Sequence, residues 1–212
     1  MNPRTLIFSG GALGDWARAL IRPGDRLIGA DRGARYLVEH GYAPDLAIGD
    51  FDSVSAAELA AIRAAARETA DCDPVDKDYT DTELAVRRAL QERPRELVLV
   101  GALGTRLDHS LANLHLLELA RRSGVEASIV DAHNRVRLVT QQLQLERSAY
   151  THVSLLPLSE RVAGITLEGF RYPLREAELA LGQSLGISNV LEGERGSIAV
   201  RAGLLLVIET HD

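Results

Sequence analysis

Acidic residues gather at the ends of four apolar segments of this chain. The densest group is Gly49-Asp50-Phe51-Asp52-Ser53. The others are Asp31 after Leu27-Ile28-Gly29-Ala30, the run from Asp71 to Asp81, and Asp108 after Leu97-Val98-Leu99-Val100. Carboxylates held close together repel one another unless something positive sits between them. Mg²⁺ suits such a place, because it takes oxygen ligands, usually one or two carboxylates plus substrate phosphates. The chemistry expected is that of Mg²⁺ and a nucleotide. Asp50 and Asp52 stand two apart, so an extended backbone would turn both to one side, where they could share a cation. Asp and Gly are also common turn residues; the acids at the other strand ends are what strengthen the metal reading.

Two further segments add phosphate chemistry. Asp76-Lys77-Asp78-Tyr79-Thr80-Asp81 precedes a helical pattern. Thr80 is a natural N-cap and Asp81 complements the helix dipole. Capping leaves Lys77 and Asp78 unexplained, and a lysine there can hold a phosphate as a point charge. Gly101-Ala102-Leu103-Gly104-Thr105-Arg106-Leu107-Asp108-His109 joins a strand to a helix. Gly101 and Gly104 let backbone approach a ligand, the helix start favours an anion, and Arg106 can clamp phosphate oxygens bidentately. The same stretch also reads as a tight turn with Asp108 as N-cap. His109 could act as a general base, although a histidine beside a cap is commonly structural. No Walker A sequence is present, and Gly10-Gly11-Ala12-Leu13-Gly14 does not complete a dinucleotide fingerprint.

The elements that position these residues alternate over the first 130 or so residues. Strands are expected at Thr5–Ser9, Arg26–Ala30, Leu46–Gly49, near Thr69–Asp73, at Leu97–Val100 and at Ala127–Val130. Helices are expected between them: Leu13–Leu20, a second to about His40 stopped by Gly41, Ser55–Arg67, Thr80–Glu92, and Asp108 to Gly124. Ser55 with Glu58, and Thr80 with Glu83, are capping-box pairs. The last helix carries an apolar stripe of Leu111, Leu114, Leu117 and Ala120. This alternation predicts βαβ units and a parallel sheet, whose ligands bind outside the carboxyl ends of the strands.

After Asp131 the pattern changes to short β-rich runs: Arg135–Thr140, Val153–Leu156, Ile165–Leu167, Ile198–Arg201 and Leu204–Ile208. Ala202-Gly203 suggests a hairpin between the last two. The fold class expected is α/β: an N-terminal Rossmann-like parallel-sheet domain, residues 1–132, followed by a small C-terminal all-β sandwich, residues 133–212. A segment of that size has little core of its own, so docking against the first domain or a second subunit is expected.

Composition narrows the classes. Hydrophobic residues make up 46% of the 212, as in ordinary globular proteins. A net charge of −6 argues against nucleic-acid binding. The single Cys72 excludes an intramolecular disulfide and points to a reducing cytoplasm. The N-terminus has no signal-peptide pattern, and no apolar run approaches a membrane span.

At these residues the chain resembles the thiamine pyrophosphokinase family. Six segments carry the resemblance, in the family's order: Ala30-Asp31-Arg32-Gly33-Ala34, Gly49 to Ser53, Lys77 to Glu83, Gly101 to Asn113, Leu167 to Leu174, and Gly186-Ile187-Ser188-Asn189. Arg35, where the family usually has Asn, and Thr105, where glycine is common, depart from it. The resemblance implies transfer of pyrophosphate from ATP to the hydroxyl of thiamine, with Mg²⁺, an ATP-binding α/β domain, and a β-sandwich that binds thiamine near the interface of a homodimer. Asp50, Asp52 and Asp78 are then the metal candidates, and Asp81 an orienting one. Arg106 and Asp108 join them as catalytic candidates, with Asp31, Lys77, Thr80, Gly101 and Gly104 for ATP. Tyr172, Ser188 and Asn189 are the thiamine candidates. Phe170 either flanks the thiamine rings or belongs to the core. A pyrophosphokinase acting on a hydroxymethylpterin and a non-catalytic nucleotide sensor are the alternatives.

Overall fold

The computed structural model describes residues 2–71 and 78–212. The chain divides at Ala132/His133 into two compact units. The first contains strands β1 (Arg4–Phe8), β2 (Arg26–Ala30), β3 (Leu46–Gly49), β4 (Thr69–Asp71), β5 (Glu96–Val100) and β6 (Glu126–Val130). Between them lie helices α1 (Asp15–Arg18), α2 (Arg32–Glu39), α3 (Ala56–Ala65), α4 (Asp81–Gln91) and α5 (Leu107–Arg122). The strands pair in the order β4-β3-β2-β1-β5-β6, every pair parallel. Parallel strands are covered on both faces, which is why they read as unbroken apolar runs; Leu6, Ile7, Phe8, Leu97 and Leu99 are fully buried. The chain winds outward from β1 to β4, then returns to place β5 on the other side of β1. That reversal is the topological switch point, and the crevice there is where open α/β sheets bind ligands.

Local chemistry sets most helix limits. Ser55 Oγ accepts from Glu58 N–H while the Glu58 carboxylate accepts from Ser55 N–H, so the box expected at α3 forms. At α4 only half of the expected box forms. Thr80 Oγ1 accepts from Glu83 N–H, but the Glu83 carboxylate turns to Arg87, one helical turn on. The first helix is shorter than its sequence suggests. Its N-cap is Gly14, which has no side chain to cap with. At the other end, i→i+3 bonds from Leu20 and Ile21 tighten the chain, and the buried Arg4 guanidinium takes the Leu20 carbonyl. In α5 the buried residues are Asn113, Leu116, Leu117 and Ala120, while Leu111 is exposed. The buried stripe therefore sits rotated from the one read in the sequence. Asp108 lies in the first turn, and Arg106 holds the N-cap position.

The second unit contains β7 (Asn134–Val139), β8 (Gln142–Glu146), β9 (His152–Pro157), β10 (Arg161–Glu168), β11 (Ala177–Ala180), β12 (Arg195–Ala199) and β13 (Leu205–Thr210). β13 pairs antiparallel with β7 and β9, and a second antiparallel sheet runs β11-β10-β12-β8. Val139, Val153, Leu155, Leu205 and Val207 of the first share one core cluster with Leu145, Val162, Ile165, Leu167, Leu179 and Ile198 of the second. Phe170 is also in this core, which settles its reading. The hairpin expected at Ala202-Gly203 does not form. β12 and β13 belong to different strand groups, and the backbone of Ala202 pairs with Ala163 instead. A local turn signal shows that the chain turns, not which strand it then joins.

Candidate active site

The crevice at the switch point has a volume of about 730 Å³. Its walls come from the segments after β1, β2, β3 and β5 and from the start of α4. After β1, Ser9 N–H donates to Val100 O at 2.9 Å and Gly11 N–H to Gly101 O at 2.9 Å. The two loops approach so closely that a Cβ on Gly11 would lie 2.3 Å from Gly101 O and 2.5 Å from Leu103 O. Only glycine permits that approach. The buried Asn113 of α5 donates to Ala102 O at 2.7 Å, and Gly104 N–H donates to Ser110 Oγ at 3.1 Å. Side chains of α5 thus hold the glycine loop in place from below.

The carboxylates are brought together by two turns. Asp31 follows β2 and is the N-cap of α2, yet its side chain makes no cap hydrogen bond. Its backbone, at φ 49 and ψ −114, aims the carboxylate elsewhere. Ser53 Oγ donates to Asp31 Oδ2, and Asp31 Oδ1 is buried with no hydrogen-bond partner among the described residues. After β3 the chain does not stay extended. Phe51 takes φ 54 and buries its ring against Ala34, Ala47 and Ile62. Asp52 N–H then donates to Asp50 Oδ1 at 3.2 Å. Asp50 and Asp52 reach a common side through this turn rather than through strand alternation. Carboxylate oxygens of Asp31, Asp50 and Asp52 lie within 4.8 Å of one another.

Asp78, Thr80, Asp81, Gly101, Gly104, Arg106 and His109 all line the crevice. Asp78 lies outside the close trio of oxygens, and Asp31, which the sequence suggested for the nucleotide, lies inside it. Arg106 is exposed and grips Asp108 through two bonds, Nη2 to Oδ2 at 2.6 Å and Nε to Oδ1 at 3.2 Å. The hydrogen bond from Arg106 and one from the His109 backbone lower the Asp108 carboxyl to about 2. Lys77 lies outside the described residues. Arg35, the departure noted above, is held by Glu39 and Glu58 at 3.4 and 3.3 Å and lines a neighbouring cavity; Thr105 lines the crevice itself.

The thiamine candidates lie in the second unit. Tyr172 is exposed, and so is Ser188, whose backbone sits at φ 58. Asn189 is buried, and its amide is engaged by backbone: Nδ2 donates to Tyr172 O at 2.8 Å, and Oδ1 accepts from Tyr172 N–H and Val190 N–H. It braces the segment that presents Tyr172. Sequence reading missed Ser53 and Thr82 as members of the first site. Thr82 Oγ1 donates to Ser9 Oγ at 3.2 Å across the crevice floor. Both lie inside segments that carry the resemblance, each beside an acidic candidate at a strand or helix end.

A parallel sheet with grouped carboxylates, a glycine loop and an arginine around its switch point defines the class: an open α/β protein that binds its ligand in that crevice. Comparisons with known proteins narrow it. Residues 17–129 match the family model described as thiamin pyrophosphokinase, catalytic domain, and residues 140–205 that described as thiamin pyrophosphokinase, vitamin B1 binding domain. Thiamine pyrophosphokinase of Bacillus subtilis (strain 168) is 33% identical over 187 residues, 87% of each chain. Crystal structures of the thiamine pyrophosphokinases of Bacillus subtilis and Geobacillus thermodenitrificans match with TM-scores of 0.91 and 0.88, at 31% and 33% identity. Each match covers 99% of this chain, and 99% and 98% of those chains respectively. The chain belongs to the thiamine pyrophosphokinase family.

Proposed function

We propose that this chain transfers the pyrophosphoryl group of ATP to the hydroxyl of thiamine, giving thiamine diphosphate and AMP. The observation that carries the reading is the trio Asp31, Asp50 and Asp52 after β2 and β3, of which Asp31 and Asp52 line the crevice together with the two glycine loops. Their oxygens fit Mg²⁺ by chemistry, and the buried, unpartnered Asp31 Oδ1 is a donor in want of a cation. These three residues would hold the ion, which would supply positive charge to offset that developing on the phosphates.

The rest is done by the chain's own groups. The bare backbone at Gly10, Gly11, Gly101 and Gly104 lets phosphate approach closely, and the start of α4 at Thr80 and Asp81 frames the opposite wall. Arg106 stabilises the transferring or leaving phosphate, with Asp108 holding its fork in plane. Asp78 and Asp81 orient the attacking hydroxyl. That oxygen bonds to the β-phosphorus and its proton passes to solvent, as the bond from the β-phosphorus to the oxygen it shares with the α-phosphorus breaks, leaving AMP. Thiamine is cationic, and an acidic crevice favours its approach.

The layout proposed is a Rossmann-like ATP domain and a β-sandwich that contributes to thiamine binding through Tyr172 and Ser188, within a homodimer. No helix among the described residues is long and apolar enough to cross a membrane, and the single cysteine suits a cytoplasmic setting. Chromatographic assay of AMP and thiamine diphosphate, with ATP, Mg²⁺ and either thiamine or a hydroxymethylpterin, tests the reading. Equimolar, thiamine-dependent products are expected. AMP formed only with the pterin would replace the substrate, and no AMP with either would leave a nucleotide sensor.

A further inference from the structure

We propose that Ser53 is a positioning residue that turns Asp31 into a metal ligand; this rests on the Mg²⁺ reading above. An aspartate at a helix N-cap ordinarily spends its carboxylate on the N–H groups of the first turn. Asp31 does not. Its backbone, at φ 49, lies outside the conformations that aspartate prefers, and its carboxylate is directed toward the end of the neighbouring strand. Gly49, at φ 151, makes room for this. A Cβ there would lie 3.3 Å from Asp31 N and 3.4 Å from Asp31 Cβ.

What holds the carboxylate in its new direction is Ser53. The turn begun by Phe51 folds the chain back so that Ser53 Oγ donates to Asp31 Oδ2. One oxygen is thereby satisfied and fixed. The other, Oδ1, is left buried and without a hydrogen-bond partner among the described residues, in the company of the Asp50 and Asp52 carboxylates. A buried anionic oxygen without a donor is costly, and a cation removes the cost. Hydroxyls that orient ligating carboxylates commonly affect metal affinity by about 10–100-fold. Ser53 therefore sets which oxygen of Asp31 meets the ion.

The test is Mn²⁺ binding, read from the electron paramagnetic resonance of free Mn²⁺, alone and with a non-hydrolysable ATP analogue. Ser53→Ala should weaken Mn²⁺ binding about 10–100-fold with the circular dichroism spectrum unchanged. Ser53→Thr, which keeps the hydroxyl, should restore most of it, and Ser53→Cys, a weaker donor, should fall between. Because Ser53 acts through Asp31, Asp31→Ala and the double variant Asp31→Ala/Ser53→Ala should bind Mn²⁺ equally weakly. Unchanged affinity in Ser53→Ala, or losses that add in the double variant, would overturn the positioning role while leaving the metal reading intact. An unaltered chain that binds no Mn²⁺ under either condition would overturn both.

Discussion

Changing Asp52 to Asn should stabilise the metal-free protein and abolish most of its response to Mg²⁺. Asp52 is the most exposed member of the trio, and its backbone N–H rather than its carboxylate is bonded to Asp50. Oxygens within 4.8 Å of one another repel by about 0.9 kcal/mol per pair in a water-like dielectric. Asp52 faces two such partners, Asp31 and Asp50. Allowing for counter-ions, the relief is about 1–2 kcal/mol at low ionic strength, or a rise of about 2–8 °C in Tm for a chain of this size. Mg²⁺ reverses the order: at about 100 times its Kd it stabilises the unaltered chain by about 2.7 kcal/mol. A variant lacking one ligand gains much less. Calorimetric scans at neutral pH in EDTA, in Mg²⁺ and in 1 M salt give the three comparisons. The variant should unfold at higher temperature in EDTA, lose that lead in Mg²⁺, and lose most of it in salt. A variant less stable than the parent in low-salt EDTA, or one that gains equally from Mg²⁺, would refute the reasoning.

Three further outcomes are expected. Arg106→Lys should lose most turnover and Arg106→Ala about 10²–10³-fold, because lysine keeps the charge but not the fork; steady-state kinetics of a fully active lysine variant would show that charge alone suffices. Asn189→Ala removes the partner of partly buried backbone groups of Tyr172 and Val190, so it should cost about 1–2 kcal/mol of stability, read by denaturant titration, and raise KM for thiamine more than for ATP. The third concerns the buried Arg4–Asp25 pair, 2.6 Å apart. Burial raises the Asp25 pKa, but bonds from Arg4 and the Arg22 backbone outweigh it, and the carboxyl ends below its ordinary value. Its contribution is then complete above the ordinary aspartate range and lost as pH falls through the lowered pKa; Asp25→Asn should be destabilised at pH 7 by about 3–5 kcal/mol and differ little from the parent in strong acid.

The strand ends were legible because buried parallel strands leave unbroken apolar runs, and the acids following them could be counted directly. Helix starts governed by a local hydrogen bond, as at Ser55 and Glu58, were equally readable. What failed depended on distant partners. The buried face of α5 includes Asn113, which bonds Ala102 O, and no apolar periodicity reports a buried amide. The fate of Ala202-Gly203 depends on Ala163, far away in sequence. The sequence placed Asp31 among the strand-end acids and, by resemblance, with ATP; its approach to Asp50 and Asp52 depends on the turn at Phe51 and the bond from Ser53, which strand ends do not report. Asn189, a thiamine candidate in sequence, has its amide engaged by the backbone of Tyr172 and Val190, contacts that its own segment does not report.

The central claim is that the crevice at the switch point moves two phosphates together, not one. Phosphorus NMR of the purified chain with ATP, Mg²⁺ and thiamine tests this directly, because the two outcomes leave different nucleotides. We expect the ATP resonances to give way to those of AMP and thiamine diphosphate in equal amounts, with the reaction silent when thiamine or Mg²⁺ is omitted. Accumulation of ADP with thiamine monophosphate, or of ADP with inorganic phosphate, would contradict it.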